Sequence, residues 1–434
     1  MVVSGHVSGY LSGVAGLGRN ELAVLDRELL LCGHLIDRAG MPYTLAALGR
    51  AGMVAVAVAE WQAASPVYTR RMRAALDYGG DDVETIFKGL QLDIGAPPQF
   101  MDFRFRVDDP GRGEFRLDHC GALMDVEPMG AEFVVAMCHD IEDPTFDATA
   151  AATNPRARVR PVYRPPRTPA DRTPHCAWTV VIDPAATPIP EHPDTGRLSK
   201  SAAAQLDPTP LDPADPGRSD YRGPLLSDLR FEDFSRSALV RIADEVALQH
   251  HLLALGFRHA VTERLGAAGA LDVVRNQFTG IAGLTARRIR AAFDLGDDAA
   301  GLCAVLALHP VFNPARYVGA RFDRKGDAVR IELPRRGTGA AADEAWPTLL
   351  APERLAPLDA LARGVNPRFR CHTAAADADT LTVDIALDPE PHEQAVEVAI
   401  TALSTGANFA FADRGTPLPL TVVRRPHGGF HPPA

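Results

Sequence analysis

A short glycine-containing stretch occurs twice in the chain, and it decides how the rest of the sequence is interpreted. Leu48-Gly49-Arg50-Ala51-Gly52 recurs as Leu265-Gly266-Ala267-Ala268-Gly269. Further along, Arg70-Arg71-Met72-Arg73-Ala74-Ala75-Leu76-Asp77 recurs as Arg287-Arg288-Ile289-Arg290-Ala291-Ala292-Phe293-Asp294. The same offset of 217 positions separates both pairs (265 minus 48, and 287 minus 70). An ordered match of this kind predicts two copies of one module.

The match continues beyond this block after small deletions. Residues 114–117 lie opposite residues 328–331, and Asn154-Pro155-Arg156 lies opposite Asn366-Pro367-Arg368. Between the copies, the chain from Asp183 to about Asp220 is rich in proline, which lacks an N–H donor and fixes φ, so we expect neither a helix nor a central strand there. We therefore predict a first module at 1–184, a proline-rich linker at 185–224 and a degenerate second copy at 225–434.

The hydrophobic pattern changes its period within each copy. Helical spacing covers residues 20–39, 43–64 and 67–76, with a predicted break at Ser65-Pro66. Residues 101–107 and 115–118 then alternate between apolar and polar around the turn Asp109-Pro110-Gly111, which predicts a hairpin. A short helix near 146–152 and a strand at 177–182 complete the module. The predicted fold is α+β, a tandem repeat of a helical N-terminal part followed by a small antiparallel sheet.

Composition narrows the class of protein. The 434 residues are 46% hydrophobic and carry a net charge of −10, which argues against a general nucleic-acid binder. We expect neither a membrane span nor a secretory signal, because no run of about 18 apolar residues and no cationic start followed by an apolar run occurs. Six cysteines are too few for a disulfide scaffold. We therefore expect a cytoplasmic protein with a small-molecule substrate, and self-association is left open.

Cysteine and histidine occur as neighbours three times in the first copy, although both are rare in the chain. The three pairs are His119-Cys120, Cys138-His139 and His175-Cys176. The middle pair is followed directly by Asp140 and then by Glu142. Such a concentration of thiols, imidazoles and carboxylates predicts a reactive or metal-binding centre.

Two kinds of chemistry fit these residues. In one, the thiols and imidazoles of the three pairs bind a metal ion, zinc or iron, or the three cysteines hold an iron–sulfur cluster. In the other, a cysteine thiolate, for which Cys120 is the first candidate, acts as a nucleophile with Asp140 or Glu142 as acid or base. A buried cysteine can also serve only as a small hydrophobic residue, which is our interpretation of Cys32, Cys303 and Cys371.

The second copy lacks these groups. His119 and Cys120 lie opposite Leu333 and Pro334, and Cys138 lies opposite Leu350. We therefore expect the first copy to carry the chemistry and the second to be a scaffold.

Two polar residues of the helical part have less specific interpretations. Glu60 is a candidate ligand or base and equally a polar core contact, since Gln277 stands opposite it in the second copy. His34, two residues after Cys32, is interpreted as structural.

At the three cysteines the chain resembles the L-2-amino-thiazoline-4-carboxylic acid hydrolase-like family, over roughly residues 40–185. Cys120 follows a strand, Cys138 precedes acidic residues, and Cys176 precedes Trp178 and its strand, as in that family. Residues 170–175 depart from the Gly-Asp that usually precedes the family's last cysteine. The resemblance implies hydrolysis of a small sulfur- or nitrogen-containing ring or amide by a metal-bound water, with Glu142 as the proton shuttle. The alternatives are a metal-stabilised ligand-binding or sensory protein without turnover, and an iron–sulfur redox enzyme.

Overall fold

The computed structural model describes residues 13–412, which form two modules with the same order of main elements. The first module contains helices α1 (Arg19–Ala75) and α2 (Val83–Leu90), strands β1 (Met101–Asp109) and β2 (Arg112–Cys120), helices α3 (Gly121–Val126) and α4 (Ala131–Val135), a π-helical turn (Ala136–Ile141), helix α5 (Glu142–Ala151), and strands β3 (Ala157–Tyr163) and β4 (Cys176–Ile182). Two short helices follow, α6 (Pro193–Leu198) and α7 (Ala202–Gln205).

The second module repeats the pattern of the first. It contains helices α8 (Arg236–Ala292), α9 (Ala299–Leu308) and α10 (Ala315–Val318), strands β5 (Arg321–Lys325) and β6 (Ala328–Pro334), helices α11 (Gly339–Ala342) and α12 (Ala356–Val365), strands β7 (Phe369–Ala376) and β8 (Thr380–Leu387), and helix α13 (Val396–Thr401). The strand orders are β1-β2-β4-β3 and β5-β6-β8-β7, with all pairs antiparallel. The predicted α+β fold, a tandem repeat of a helical part and a small antiparallel sheet, is confirmed.

Each module begins with a helical hairpin rather than with one straight helix. Helices α1 and α8 both span 57 residues, and each is interrupted at one glycine, Gly49 with φ 69° and Gly266 with φ 71°. These positive φ values combine with extended ψ, a region that is essentially restricted to glycine. The chain folds back there, because His34 and Trp61, which lie on opposite sides of Gly49 in sequence, line the same cavity. The repeated glycine is therefore the corner of the hairpin.

The predicted helix break at Ser65-Pro66 is wrong, because α1 continues through Pro66. Proline deprives the carbonyl four residues earlier of its helical hydrogen bond. That carbonyl belongs to Gln62, and it accepts a hydrogen bond from Thr195 Oγ1 at 3.1 Å. Helix α6, which carries Thr195, thus compensates for the proline and allows the helix to continue.

The expectation of a linker without helices is also wrong between its two proline runs. Helices α6 and α7 form there, and Pro193 occupies the first turn of α6, where a missing N–H costs nothing. This segment packs on the C-terminal arm of α1, where Arg71 Nη1 donates to the carbonyl of Ala204 at 2.7 Å. The chain between the modules is therefore held to the surface of the first module.

Two buried ion pairs join the modules, and each is the counterpart of the other in the repeat. Arg71 of the first module binds Glu245 of the second through two hydrogen bonds of 2.9 and 2.7 Å. Arg288, the counterpart of Arg71, binds Glu28, the counterpart of Glu245, through bonds of 2.7 and 3.0 Å. Helices α1 and α8 contact each other more extensively than any other pair of elements. The modules are therefore related by an approximate two-fold arrangement around these helices.

Hydrogen bonds confirm the later part of the predicted alignment. The side chain of Asn154 donates to the carbonyl of Asp81 at 2.9 Å, and Asn366 donates to Asp297 at 2.8 Å. Asp147 accepts from the backbone N–H of Val159, and its counterpart Asp359 accepts from Cys371, both at 2.8 Å. These polar residues serve the fold in both copies.

One stretch of helix α1 is long and apolar enough to cross a membrane by length and composition alone. It was not expected from the sequence, where no uninterrupted apolar run of that length occurs. In the structure 22% of this stretch is buried. A core helix of a soluble protein passes the same test, so the finding is weak evidence for a membrane. The expectation about a secretory signal concerns residues 1–10, which lie outside the described residues.

Candidate functional site

The ends of two adjacent strands and the π-helical turn bring three cysteines together. Cys120 ends β2 and accepts a hydrogen bond from Leu123 N at 3.4 Å, which caps helix α3. Cys176 begins β4 and pairs with Leu117 of β2. Cys138 lies in the π-helical turn, a rare conformation that is frequent at functional sites. The three thiols are free and buried.

The thiols lie close enough to affect one another electrostatically. Burial raises the pKa of Cys120 to about 12, and the charge of Glu142 contributes to the increase. Burial also raises the pKa of Cys138, with further contributions from Glu142, Cys120 and Cys176. The pKa of Cys176 is raised by burial, Glu142 and Cys120. We call these three residues the cysteine cluster, and at neutral pH its sulfurs are thiols.

The histidines next to the cysteines make other contacts. His139 Nε2 is hydrogen bonded to the carbonyl oxygen of Pro165 at 2.7 Å. The rings of His119 and His175 pack against each other with centroids 5.9 Å apart, and His119 also stacks on Phe409. Burial lowers the pKa of both His119 and His175. These two imidazoles form a pair of their own at the boundary with the second module.

Within residues 13–412, no three His, Cys, Asp or Glu side chains are grouped so that they could hold a metal ion. The donor set of three thiols suits zinc or iron, but the side chains as placed do not form a coordination site. The metal ion and the iron–sulfur cluster therefore stay predictions, and we derive no step through either.

A small, partly open cavity lined by both ionisable and apolar residues lies beside the cysteine cluster, between the two arms of α1 and the π-helical turn. Its volume is about 80 Å³. Met101, which pairs with Cys120 across the sheet, forms part of its wall. We call it the inner cavity; its ionisable lining residues are His34, Asp37, Arg38, Tyr68, Asp93 and Glu142.

Glu142 has the least satisfied carboxyl group of this wall. Some of the residue remains exposed, but its Oε2 is buried and makes no hydrogen bond within the described chain. Burial raises the pKa of Glu142 to about 8, although the charge of Arg164 opposes the shift. The carboxyl group is therefore mostly protonated at neutral pH and can donate a proton.

Asp93 is a second carboxyl group, in a different environment. It accepts hydrogen bonds from Tyr68 Oη at 2.8 Å and from Gly95 N at 2.7 Å, both on Oδ1. Burial raises its pKa to about 6, and these hydrogen bonds limit the increase. Asp93 is therefore mostly ionised at neutral pH, while Glu142 is mostly protonated. Two carboxyl groups whose pKa values are separated in this way can serve as base and acid.

Arg38 supplies the positive charge of the inner cavity. Its side chain is 9% exposed, and its contacts with carboxylates are long, 3.5 Å from Nε to Asp125 and 4.0 Å from Nη1 to Asp37. Asp125 is held in turn by Ser404 Oγ at 2.5 Å and by Thr405 N at 2.6 Å. The guanidinium group of Arg38 therefore has donors to spare for a bound anion or carbonyl.

Two further polar groups lie near the same wall. Glu60 is fully buried beside Asp37, and burial followed by the charge of Asp37 raises its pKa. His34 packs edge-on against Phe100, and burial, reinforced by the charge of Arg38, lowers its pKa to about 3. Neither ring nitrogen of His34 makes a well-formed hydrogen bond with the described residues. The neutral imidazole can therefore serve a ligand in the inner cavity.

An apolar groove of about 220 Å³ adjoins the inner cavity. The two spaces share Arg38, Met137 and Ile141 as a common wall. Met129 and Leu403 on the groove are 51% and 82% exposed. We call this space the outer groove. It places apolar surface directly beside the ionisable residues of the inner cavity.

The second module has replaced the charges of the cavity wall. Asp37 and Arg38 stand opposite Ala254 and Leu255, and Tyr68 stands opposite Thr285. His251, the counterpart of His34, is hydrogen bonded to Asn313 O at 3.0 Å and packs edge-on against Tyr317. The ionisable wall is therefore a feature of the first module.

The sequence prediction identified part of this site and missed part of it. Glu142 lines the inner cavity, whereas Asp140 is exposed and does not line it, and the catalytic roles of both residues stay predictions. Asp37, Arg38 and Asp93 were missed. The substitutions at Asp37 and Arg38 in the second copy were a usable signal, since the same comparison had already singled out the cysteines.

Comparisons with protein-family models, curated proteins and solved structures find no match to this chain. The resemblance to the thiazoline-carboxylate hydrolase-like family therefore stays a prediction.

Proposed function

We propose that the first module is a hydrolase for a small nitrogen- or sulfur-containing substrate, with its reacting centre in the inner cavity. The observation that carries this proposal is the buried Oε2 of Glu142, which has no hydrogen-bond partner in the described chain and belongs to a cavity wall. Leaving a buried polar atom without a hydrogen-bond partner costs about 1–3 kcal/mol of stability. The fold therefore gains nothing from this placement of Glu142, whereas a ligand that binds Oε2 would recover the lost hydrogen bond.

The dimensions limit which part of a substrate can enter. The inner cavity is the smaller of the two spaces, about 80 Å³ against about 220 Å³ for the outer groove, so it takes the smaller part of a substrate. Ligand pockets are typically about 300–1,000 Å³, a range whose lower end the inner cavity and the outer groove reach together. The substrate therefore has a compact polar head for the inner cavity and an apolar part for the outer groove.

Acid–base hydrolysis follows from the two carboxyl groups. Asp93 takes a proton from water as the water oxygen forms a bond to the substrate carbon. The carbon–nitrogen or carbon–sulfur bond then breaks, and the leaving atom takes the proton of Glu142. Arg38 stabilises the negative charge that develops on the substrate, or binds its carboxylate.

The cysteine cluster has a supporting position in this proposal. A thiol with a pKa of about 12, such as that of Cys120, is a poor nucleophile at neutral pH. Catalysis by Cys120 and the binding of a metal by the predicted ligands stay predictions.

The experiment measures hydrolysis of L-2-amino-thiazoline-4-carboxylic acid and a panel of small cyclic amides by mass spectrometry. We expect Glu142→Gln to lower kcat by about 10²- to 10⁴-fold, the usual contribution of a general acid. Asp140→Asn is the matched control, because it removes an exposed carboxylate from the same turn. Absence of turnover across the panel, or full activity in Glu142→Gln, would refute the proposal.

Elemental analysis of the same samples tests the metal prediction. Wild type and Cys138→Ser are compared. Equal, stoichiometric metal in both proteins would exclude Cys138 as a ligand, and loss of metal together with activity in Cys138→Ser would assign the chemistry to a metal centre.

A second candidate is a ligand-binding protein without turnover, which the exposed apolar rim of the outer groove favours. Binding of a panel member without product formation, unchanged in Glu142→Gln, would support this candidate over the hydrolase.

A further inference from the structure

A cleft larger than the inner cavity and the outer groove lies away from both, at the end of helix α8. Its volume is about 1030 Å³. Four arginines other than Arg288 line it: Arg27 from α1, Arg287 and Arg290 from the last turns of α8, and Arg363 from α12. We call it the arginine cleft. Its position assigns it mainly to the second module, which has lost the charges of the first module's cavity.

Two of these arginines are uncompensated. Arg287 and Arg290 form no ion pair and no side-chain hydrogen bond within residues 13–412, and Nε of Arg290 is buried. Arg363 has only a 3.7 Å contact with Asp359, one turn away on its own helix. By contrast, Arg288 is neutralised by Glu28. Arg27 is paired with Glu232, and Glu28 and Asp294 are the carboxylates of the lining, so the five arginines still give the cleft an excess of positive charge.

The equivalent arginines of the first module have partners in the fold. Arg70, the counterpart of Arg287, forms an ion pair with Glu191 of the chain between the modules. Arg73, the counterpart of Arg290, donates to the carbonyls of Gly80 at 2.6 Å and Ala152 at 3.3 Å. In the first module these two positions therefore bind groups of the fold. Arg287 and Arg290 of the second module have no equivalent partners in the described chain.

We propose that the arginine cleft binds a multiply charged small anion, either an organic phosphate or a polycarboxylate. Guanidinium groups match both anions through paired N–H donors. A cleft with free positive charge in a chain of net charge −10 concentrates anions locally rather than over the whole surface. Phe409 and Phe411 line the same cleft and give an apolar wall for the organic part of the ligand.

The cleft also adjoins the first module. Phe409 stacks on His119, and the carbonyl of Phe409 accepts a hydrogen bond from Arg288 at 2.9 Å. The same short segment supplies Thr405, which holds Asp125 next to Arg38. An anion in the cleft therefore binds beside the segment that supports the wall of the inner cavity.

The test is calorimetric titration of the full chain with inorganic pyrophosphate and, separately, with citrate at low salt. Arg287→Gln and Arg290→Gln remove one uncompensated cation each. Arg336→Gln is the control. The side chain of Arg336 is 72% exposed on the second module, and its contact with Asp379 is long, at 3.9 Å. We expect each cleft variant to weaken binding about tenfold, the usual effect of one charged hydrogen bond, and the control to leave it unchanged.

Comparison of the two dissociation constants shows whether the cleft prefers phosphate or carboxylate groups. Arg287 is only partly buried, so its variant keeps the proposal testable if Arg290→Gln fails to fold. Binding of neither anion more tightly than about 1 mM would overturn the proposal. Equal affinities in wild type, cleft variants and control would also overturn it.

Discussion

The protonation of Glu142 has a consequence for stability that can be measured without knowing the substrate. Its pKa is raised from 4.5 to about 8, chiefly by burial. Between these values the folded protein binds more protons than the unfolded chain. The stabilising contribution of Glu142 is therefore complete below pH 4.5 and is lost as the pH rises towards 8.

The expected magnitude follows from the width of this window. One full proton of difference changes stability by about 1.36 kcal/mol per pH unit. From pH 5.5 to 7.5, Glu142 therefore lowers the free energy of unfolding by about 2.5 kcal/mol. In Glu142→Gln the amide is neutral throughout, so this dependence disappears.

The assay is urea unfolding followed by circular dichroism at both pH values. The quantity of interest is the wild-type free energy of unfolding minus that of Glu142→Gln. Other titrating groups, including His34 with its opposite dependence, cancel in this difference. Asp140→Asn controls for the loss of a carboxylate in the same turn. A difference that stays constant within about 0.5 kcal/mol between the two pH values would show that the Glu142 carboxyl is not held protonated, and would refute the reasoning.

Two further predictions concern the frame of the molecule. Arg288→Ala leaves Glu28 as a buried, uncompensated charge and should lower the free energy of unfolding by about 3–5 kcal/mol in urea, while the neighbouring Arg287→Ala should change it by less than about 0.5 kcal/mol. Gly49→Ala forces a side chain into a backbone conformation restricted to glycine and should cost about 1–3 kcal/mol, although the space around it is open. Gly79→Ala, also in open space but without a positive φ, should cost less in the same thermal unfolding experiment, and equal losses in both glycine variants would contradict this interpretation.

The fold was largely predictable because its signals are local. Alternation of apolar and polar residues located the first hairpin, and the repeated block located the equivalent helices of both modules. The corner of each helical hairpin was not predicted, although Gly49 belongs to the repeated stretch that the sequence analysis identified. A glycine inside a helical pattern reveals neither its φ nor the direction of the chain after it, and Pro66 was the stronger sequence signal for a break. The break does not occur because Thr195, far away in sequence, donates a hydrogen bond to the carbonyl that Pro66 leaves without a helical partner.

The site was predictable only where residues are close in sequence. The cysteine pairs and Glu142 stood out because they occur beside one another. Arg38 and Asp93 were missed because the hairpin of α1 and the loop after α2 bring them to one cavity. No spacing rule reports such a meeting of distant segments. Comparison with the aligned second copy could have identified Arg38, since Leu255 replaces it there.

The charges that the two modules share and the charges that they do not share have different physical causes. Glu28 and Arg288 have counterparts in Glu245 and Arg71 because each pair is buried between the modules, and loss of one partner would leave an uncompensated buried charge. Arg38 has no such constraint from the fold, since Leu255 fills the equivalent position. A buried cation with only long ionic contacts lowers stability compared with leucine. Its contacts with Asp125, Asp37 and Met41 leave guanidinium donors for a further partner, and a bound substrate in the inner cavity is the partner that we propose.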